Sequence, residues 1–105
     1  PSVASTSAAG NISIPDDAKV SLSNTDAKDG YPISGLTWAL IYKEQNYAGR
    51  TKDRADKVVK LLWWNIHEGQ KYCDGLNYAP LSPAAVKVGE TLLKSLTFDG
   101  KPILQ

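Results

Sequence analysis

Apolar and polar positions change rhythm three times along this chain. In residues 1–29 the apolar side chains are sparse. Ile12 and Ile14, then Val20 and Leu22, fall at alternate positions on either side of "PDDA". Period-two spacing about a turn predicts two short strands there. The opening "PSVASTSAAGN" reads equally as the end of a helix, stopped at Gly10 by the usual glycine signal. A weakly patterned stretch of this length is uncommon inside a compact domain, so it points to a piece of something larger.

The second rhythm is a nearly continuous apolar run. "GLTWALIYK", residues 35–43, has Thr37 as its one polar interruption before the terminal lysine. Continuous patterning predicts a strand buried on both faces, as in a sheet covered by helices. "EQNYAGR" then reads as a loop.

The third rhythm is helical. In "TKDRADKVVKLLWWNIHE", residues 51–68, Thr51 is placed to cap and Asp53 suits the first turn. Ala55, Val58, Val59, Leu62 and Ile66 recur on one face, widened by Leu61 and Trp63. Gly69 interrupts, and "QKYCDGLNYAPLS" predicts a short helix ending near Gly75 and a turn through Pro80. "SPAAVKVGETLLKSL" predicts a second long helix with Ser82 as cap and Pro83 at its first position. Its apolar stripe is Val86, Gly89, Leu92, Leu93 and Leu96. The tail "TFDGKPILQ" carries an Asp99–Gly100 turn.

Composition narrows the possible functions. The chain has 105 residues, the size of one small domain, and 42% are hydrophobic, an ordinary globular share. Twelve basic and eleven acidic residues leave a net charge of +1, which gives no basis for a nucleic-acid or acidic-membrane partner. A single cysteine, Cys73, excludes an internal disulfide or a multi-cysteine zinc site. No apolar run approaches the ~20 residues of a membrane span. The chain opens on Pro1 without a leader pattern, which predicts a processed product or a fragment.

No residue set specifies a reaction. His67, the only histidine, has no cysteine or carboxylate cluster beside it in sequence and reads as a helix-end residue. Cys73 reads as a packing thiol. Asp16–Asp17, Asp26 and Asp29 lie in turn contexts that explain acids by bonds to the backbone. Arg50 and Thr51 precede a helix where an oxyanion could bind, against the commoner reading of a solvated helix start. Trp38 and Trp63 read as packing residues and Trp64 as an exposed or interface residue. No metal ligand set and no cofactor is expected.

The order of segments carries more than any residue. "GYPISGLTWALIYKEQ", then "WWNIHEGQKY", then "LNYAPLSPAAVKVGETLLKSL", then "GKPIL" resembles the C-terminal part of the phosphate-binding protein of the bacterial phosphate ABC importer. The resemblance runs from about Ser2 to Leu104. It implies an α/β fold: part of one lobe of a two-lobed periplasmic binding protein, with one central strand, two main helices and a loop-rich earlier part. Residues 1–34 would be the inter-lobe connection, with loops and short strands. Residues 35–105 would complete the first lobe. Pro32, Ser34 and Gly35 would form the hinge, since element-terminal residues absorb domain closure.

In that family phosphate is held by backbone amides, Ser/Thr hydroxyls, an Arg and an Asp of the earlier polypeptide. No match to them occurs here, so no phosphate-contacting residue carries over. The implied partners are the rest of the binding protein, phosphate in the complete protein only, and the importer's membrane subunits. The implied location is the periplasm or the extracellular side of the bacterial membrane, with no enzyme activity. A second reading is a free-standing module that self-associates or complements a truncated partner through unpaired strand edges. An enzyme using His67 or Cys73 ranks last, because neither has an orienting partner visible in the sequence.

Overall fold

Two capped helices carry the architecture of the computed structural model, which describes residues 1–105. Three helices and one hairpin form: α1 (Val3–Ala8), α2 (Lys52–Ile66), α3 (Pro83–Lys94), β1 (Thr97–Phe98) and β2 (Lys101–Pro102). Two 3-10 turns, Glu68–Tyr72 and Asp74–Leu76, join α2 to α3. The chain is therefore a mixture of helices with a two-stranded antiparallel sheet. No helix is long and apolar enough to cross a membrane.

The two long helices start where their caps are. Thr51 accepts a hydrogen bond from the Arg54 amide at 3.2 Å, and Ser82 accepts one from the Ala85 amide at 3.3 Å. Each satisfies a donor that the first turn of a helix leaves unpaired. The helix predicted over 51–68 ends at Ile66. His67 leaves helical geometry with φ −120° and ψ −99°. Gly69 then passes so close to Trp64 that a Cβ would lie 2.9 Å from the ring. Asn77, in the left-handed region at φ 60°, closes the second 3-10 turn.

The core lies where α2 and α3 meet. Val59, Leu93 and Leu96 are buried together, with Ile41, Leu62, Trp63, Ile66, Ile103 and Leu104 packed around them. Gly89 allows the helices to approach, since a Cβ there would stand 3.2 Å from the Ile66 side chain. Leu61 and Leu92, assigned to the apolar stripes, are exposed instead. Each sits at the margin of its helix face, beyond the width that the partner helix covers.

The first third is held by its own hydrogen bonds. α1 is closed by a reciprocal capping box: Ser2 Oγ accepts from the Ser5 amide and Ser5 Oγ from the Ser2 amide, both at 3.0 Å. It ends at Ala9–Gly10, as the helical reading of the start expected. The two short strands around "PDDA" do not form. No backbone hydrogen bond joins residues 12–14 to 20–22; the Ala18 amide instead closes a turn on the Pro15 carbonyl at 2.8 Å, with φ 58° at Ala18. Leu22 is nevertheless buried, with Ile12, Ile14 and Val20 partly covered. Ser7 Oγ ties this block to the rest by donating to the Pro80 carbonyl at 3.2 Å.

The central strand expected over 35–43 is also not formed. The segment is drawn out but pairs with nothing until Glu44, which makes one parallel bridge to Thr97. A strand is defined by its neighbour, and the only strands in the chain pair with each other: Phe98 faces Lys101 across Asp99 and Gly100. Those two turn residues have φ of 52° and 74°, the primed geometry that suits a two-residue hairpin. The radius of gyration is 15.3 Å, against about 13 Å for a compact domain of 100 residues. The molecule is accordingly long, 45 × 27 × 23 Å.

Candidate functional site

The most unusual surface follows directly from that unpaired segment. From Ile33 to Tyr42 the chain makes no backbone–backbone hydrogen bond. Side chains of an extended chain alternate between two faces. On one face Ile41 reaches the α2–α3 core. On the other, Trp38, Leu40 and Tyr42 are exposed, Leu40 to 98%. Trp38 is anchored only through its indole N–H, which donates to the Ala18 carbonyl at 3.0 Å. A contiguous apolar ribbon with free backbone donors and acceptors is a surface suited to taking neighbouring strands and a covering layer.

The residues expected to form a hinge stand at the start of this ribbon. The Pro32 carbonyl accepts from the Asn24 amide at 2.7 Å. Ser34 is buried, and its hydroxyl donates to the Tyr31 carbonyl at 2.8 Å. Gly35 is exposed, and a Cβ placed on it would meet nothing within 4 Å. Pro32 and Ser34 thus bond within the first block, and the chain stays against it beyond Gly35, with Leu36 beside Ile14 and Leu22 and the Trp38 indole on Ala18.

The other end of the ribbon is clamped by two residues that the sequence reading left in a loop. Gln45 is fully buried. Its amide nitrogen donates to the Tyr42 carbonyl at 2.5 Å, and its amide oxygen accepts from Arg50 at 2.7 Å. Glu44 accepts from Thr97 Oγ1 at 2.7 Å, from the amides of Asn46 and Asp99 at 2.9 Å, and from the Gly100 amide at 3.1 Å. Four donors on one carboxylate, the Thr97 hydroxyl foremost, hold its pKa down at about 2. Asn46 further bonds the Asp99 carboxylate. The only local signal of this clamp is the Asp99–Gly100 turn; its partners lie more than fifty residues from Glu44 in sequence.

The remaining candidates are taken up by structure. Arg50 stacks over Tyr47 at 4.7 Å while holding Gln45, and Thr51 caps α2, so neither stands ready for an anion. Asp17 accepts from the Lys19 amide in a turn. Cys73 is half-buried, 3.9 Å from Gln70 Oε1. Trp63 packs on the core, and Trp64 is exposed beside Tyr72, ring centroids 6.0 Å apart. No three His, Cys, Asp or Glu side chains group as metal ligands.

His67 does have an orienting partner, which the sequence reading missed. Its Nε2 lies 2.7 Å from Glu90 Oε1 on α3, and its Nδ1 lies 2.8 Å from the Trp63 carbonyl oxygen. Both ring nitrogens are occupied, so the imidazole has none left for a substrate. The Glu90 bond and the Trp63 carbonyl raise its pKa above the usual 6.5.

No family model matches this chain, and no solved structure matches it.

Proposed function

We propose that this chain is the C-terminal scaffold segment of a periplasmic phosphate-binding protein that feeds a bacterial ABC importer. It contributes a strand and two helices to one lobe, and the phosphate contacts come from the preceding polypeptide. The observation that carries the reading is the exposed apolar segment 33–42, which makes no backbone–backbone hydrogen bond. Such a ribbon has the composition and backbone of an interior strand whose sheet is supplied by other residues. The order of "YPISG", "GQKY", "YAPL" and "GKPIL" supplies the family resemblance. In this reading Pro32, Ser34 and Gly35 are the pivot between the connection and the lobe.

The test is complementation. The preceding part of such a phosphate-binding protein, ending where Pro1 begins, is mixed with the 105-residue chain. Calorimetry then follows the addition of inorganic phosphate. The expected result is no phosphate heat from the chain alone, a one-to-one complex that binds phosphate, and slowed amide exchange at residues 33–42. Phosphate binding by the chain alone, or a mixture that forms no complex, would overturn the proposal.

The same ribbon supports a second reading, pairing between two copies of the chain through the free strand edge. Light scattering separates the two. A concentration-dependent dimer that protects residues 33–42 and does not exchange with the added partner favours self-association.

A further inference from the structure

The pairing of His67 with Glu90 has chemistry that the scaffold reading does not use. His67 is the residue at which the chain turns out of α2. Its imidazole stacks on Trp63, ring centroids 4.5 Å apart. Two oxygen acceptors address it: the Trp63 carbonyl at Nδ1, 2.8 Å away, and Glu90 Oε1 at Nε2, 2.7 Å away. A backbone carbonyl can only accept, so Nδ1 must carry a hydrogen. An ionised Glu90 can only accept as well, so Nε2 must carry one too.

A neutral ring cannot meet both demands. With its hydrogen on Nδ1, the Nε2 lone pair faces a carboxylate oxygen at 2.7 Å; with its hydrogen on Nε2, the other lone pair faces the Trp63 carbonyl at 2.8 Å. Either tautomer creates one acceptor–acceptor contact, which the structure relieves by separating the groups.

We propose that His67 and Glu90 form a proton-dependent latch between the end of α2 and the flank of α3, closed while the imidazole carries both protons and opened when it loses one. The latch sits beside a close contact of the helix seam, since Gly89, next to Glu90, faces the Ile66 side chain. The connection from His67 to Ser82 begins at the same residue, with the Gln70 amide donating to the His67 carbonyl at 3.0 Å. Gln70 closes that connection by accepting from the Leu81 amide at 2.7 Å and donating to the Asn65 carbonyl at 2.6 Å. The acidic groups facing the ring are Glu90 from α3 and Glu68 from the turn after it, and both favour the protonated form. Lys94 on α3 is a cation over the stack, 5.6 Å from the Trp63 ring.

The folded state holds this proton more tightly than the unfolded chain, whose histidine has the ordinary value of 6.5. The latch therefore stabilises the fold fully below pH 6.5, and that contribution is lost as pH rises from 6.5 through the raised folded value.

His67 is the single histidine of the chain, so the one imidazole Hε1 resonance reports it. The first measurement is its NMR titration in the 105-residue chain and in Glu90→Gln. The expected midpoint lies above 6.5 in the parent and shifts downward in the variant. Urea unfolding at a series of pH values is the second. The parent's midpoint concentration is expected to fall relative to that of Glu90→Gln as pH rises through the same window, because groups common to both proteins cancel. A parent midpoint at or below 6.5, an unshifted midpoint in the variant, or parallel unfolding profiles would each overturn the latch. If Glu90→Gln does not fold, the parent titration alone decides, with Glu90→Asp as the second variant.

Discussion

At the scale of single residues, the side chains that organise this molecule are polar. Glu44 is the clearest case. It is solvent-accessible, yet it gathers four donors from two segments and so fastens the hairpin to the end of the ribbon. Its depressed pKa sets the direction of the acid response. The clamp is fully present above the ordinary carboxylate value of 4.5 and is lost as pH falls from there through about 2. The protection of the Asp99 and Gly100 amides, measured against the intrinsic exchange rate at each pH, is therefore expected to fall over that acid range, and to be low already at neutral pH in Glu44→Gln. Exchange that does not respond to either change would show that the turn closes without the carboxylate. Little of this was legible in "EQNYAGR", because three of the four donors come from the far end of the chain. The same holds for His67, whose partner lies 23 residues away on another helix. Thr51 and Ser82, by contrast, were legible as caps, since a cap bonds to amides three residues on.

At the scale of elements, α2 and α3 were predictable because helix formation is written locally, in a cap and a face repeating every 3.6 residues. The buried part of those faces is small: Ala55 and Val59 from α2, Leu93 from α3 and Leu96 just beyond it. Leu93→Ala is expected to cost roughly 2–5 kcal/mol, the range for removing a buried leucine side chain. Urea unfolding monitored by helical circular dichroism measures it. A loss well under 1 kcal/mol would mean that the helices collapse onto the space or that the seam contributes little. The strand over 35–43 failed for the opposite reason. Its apolar run is legible, but sheet structure depends on a neighbour, and within this chain the run meets a single bridge at Glu44. The hairpin at 97–102 was read only as its turn; two residues on each side are too few to show an alternating pattern.

At the scale of the whole molecule, the ribbon decides how the chain behaves. Leu40, 98% exposed, contributes nothing to the fold of the isolated chain. Leu40→Lys is therefore expected to leave its unfolding midpoint within about 0.5 kcal/mol of the parent, as for surface changes generally. The same substitution is expected to abolish assembly on the ribbon, whether with the preceding polypeptide or with a second copy, as read by light scattering. Unchanged assembly would remove the ribbon from the interface. The elongated outline has the same origin: the apolar surface of residues 33–42 is not folded back onto the core except at Ile41.

What the sequence by itself determined was the local part: two capped amphipathic helices, the Gly69 interruption, the Asp99–Gly100 turn and a loop-rich first third. Each depends on backbone preferences and on bonds spanning a few residues. The tertiary structure alone decided which apolar residues of those faces were covered. It also brought Glu44 to Thr97 and His67 to Glu90, and it left the 35–43 run without a sheet. Those outcomes depend on which distant groups the folded chain brings into reach, and neither periodicity nor spacing encodes that distance.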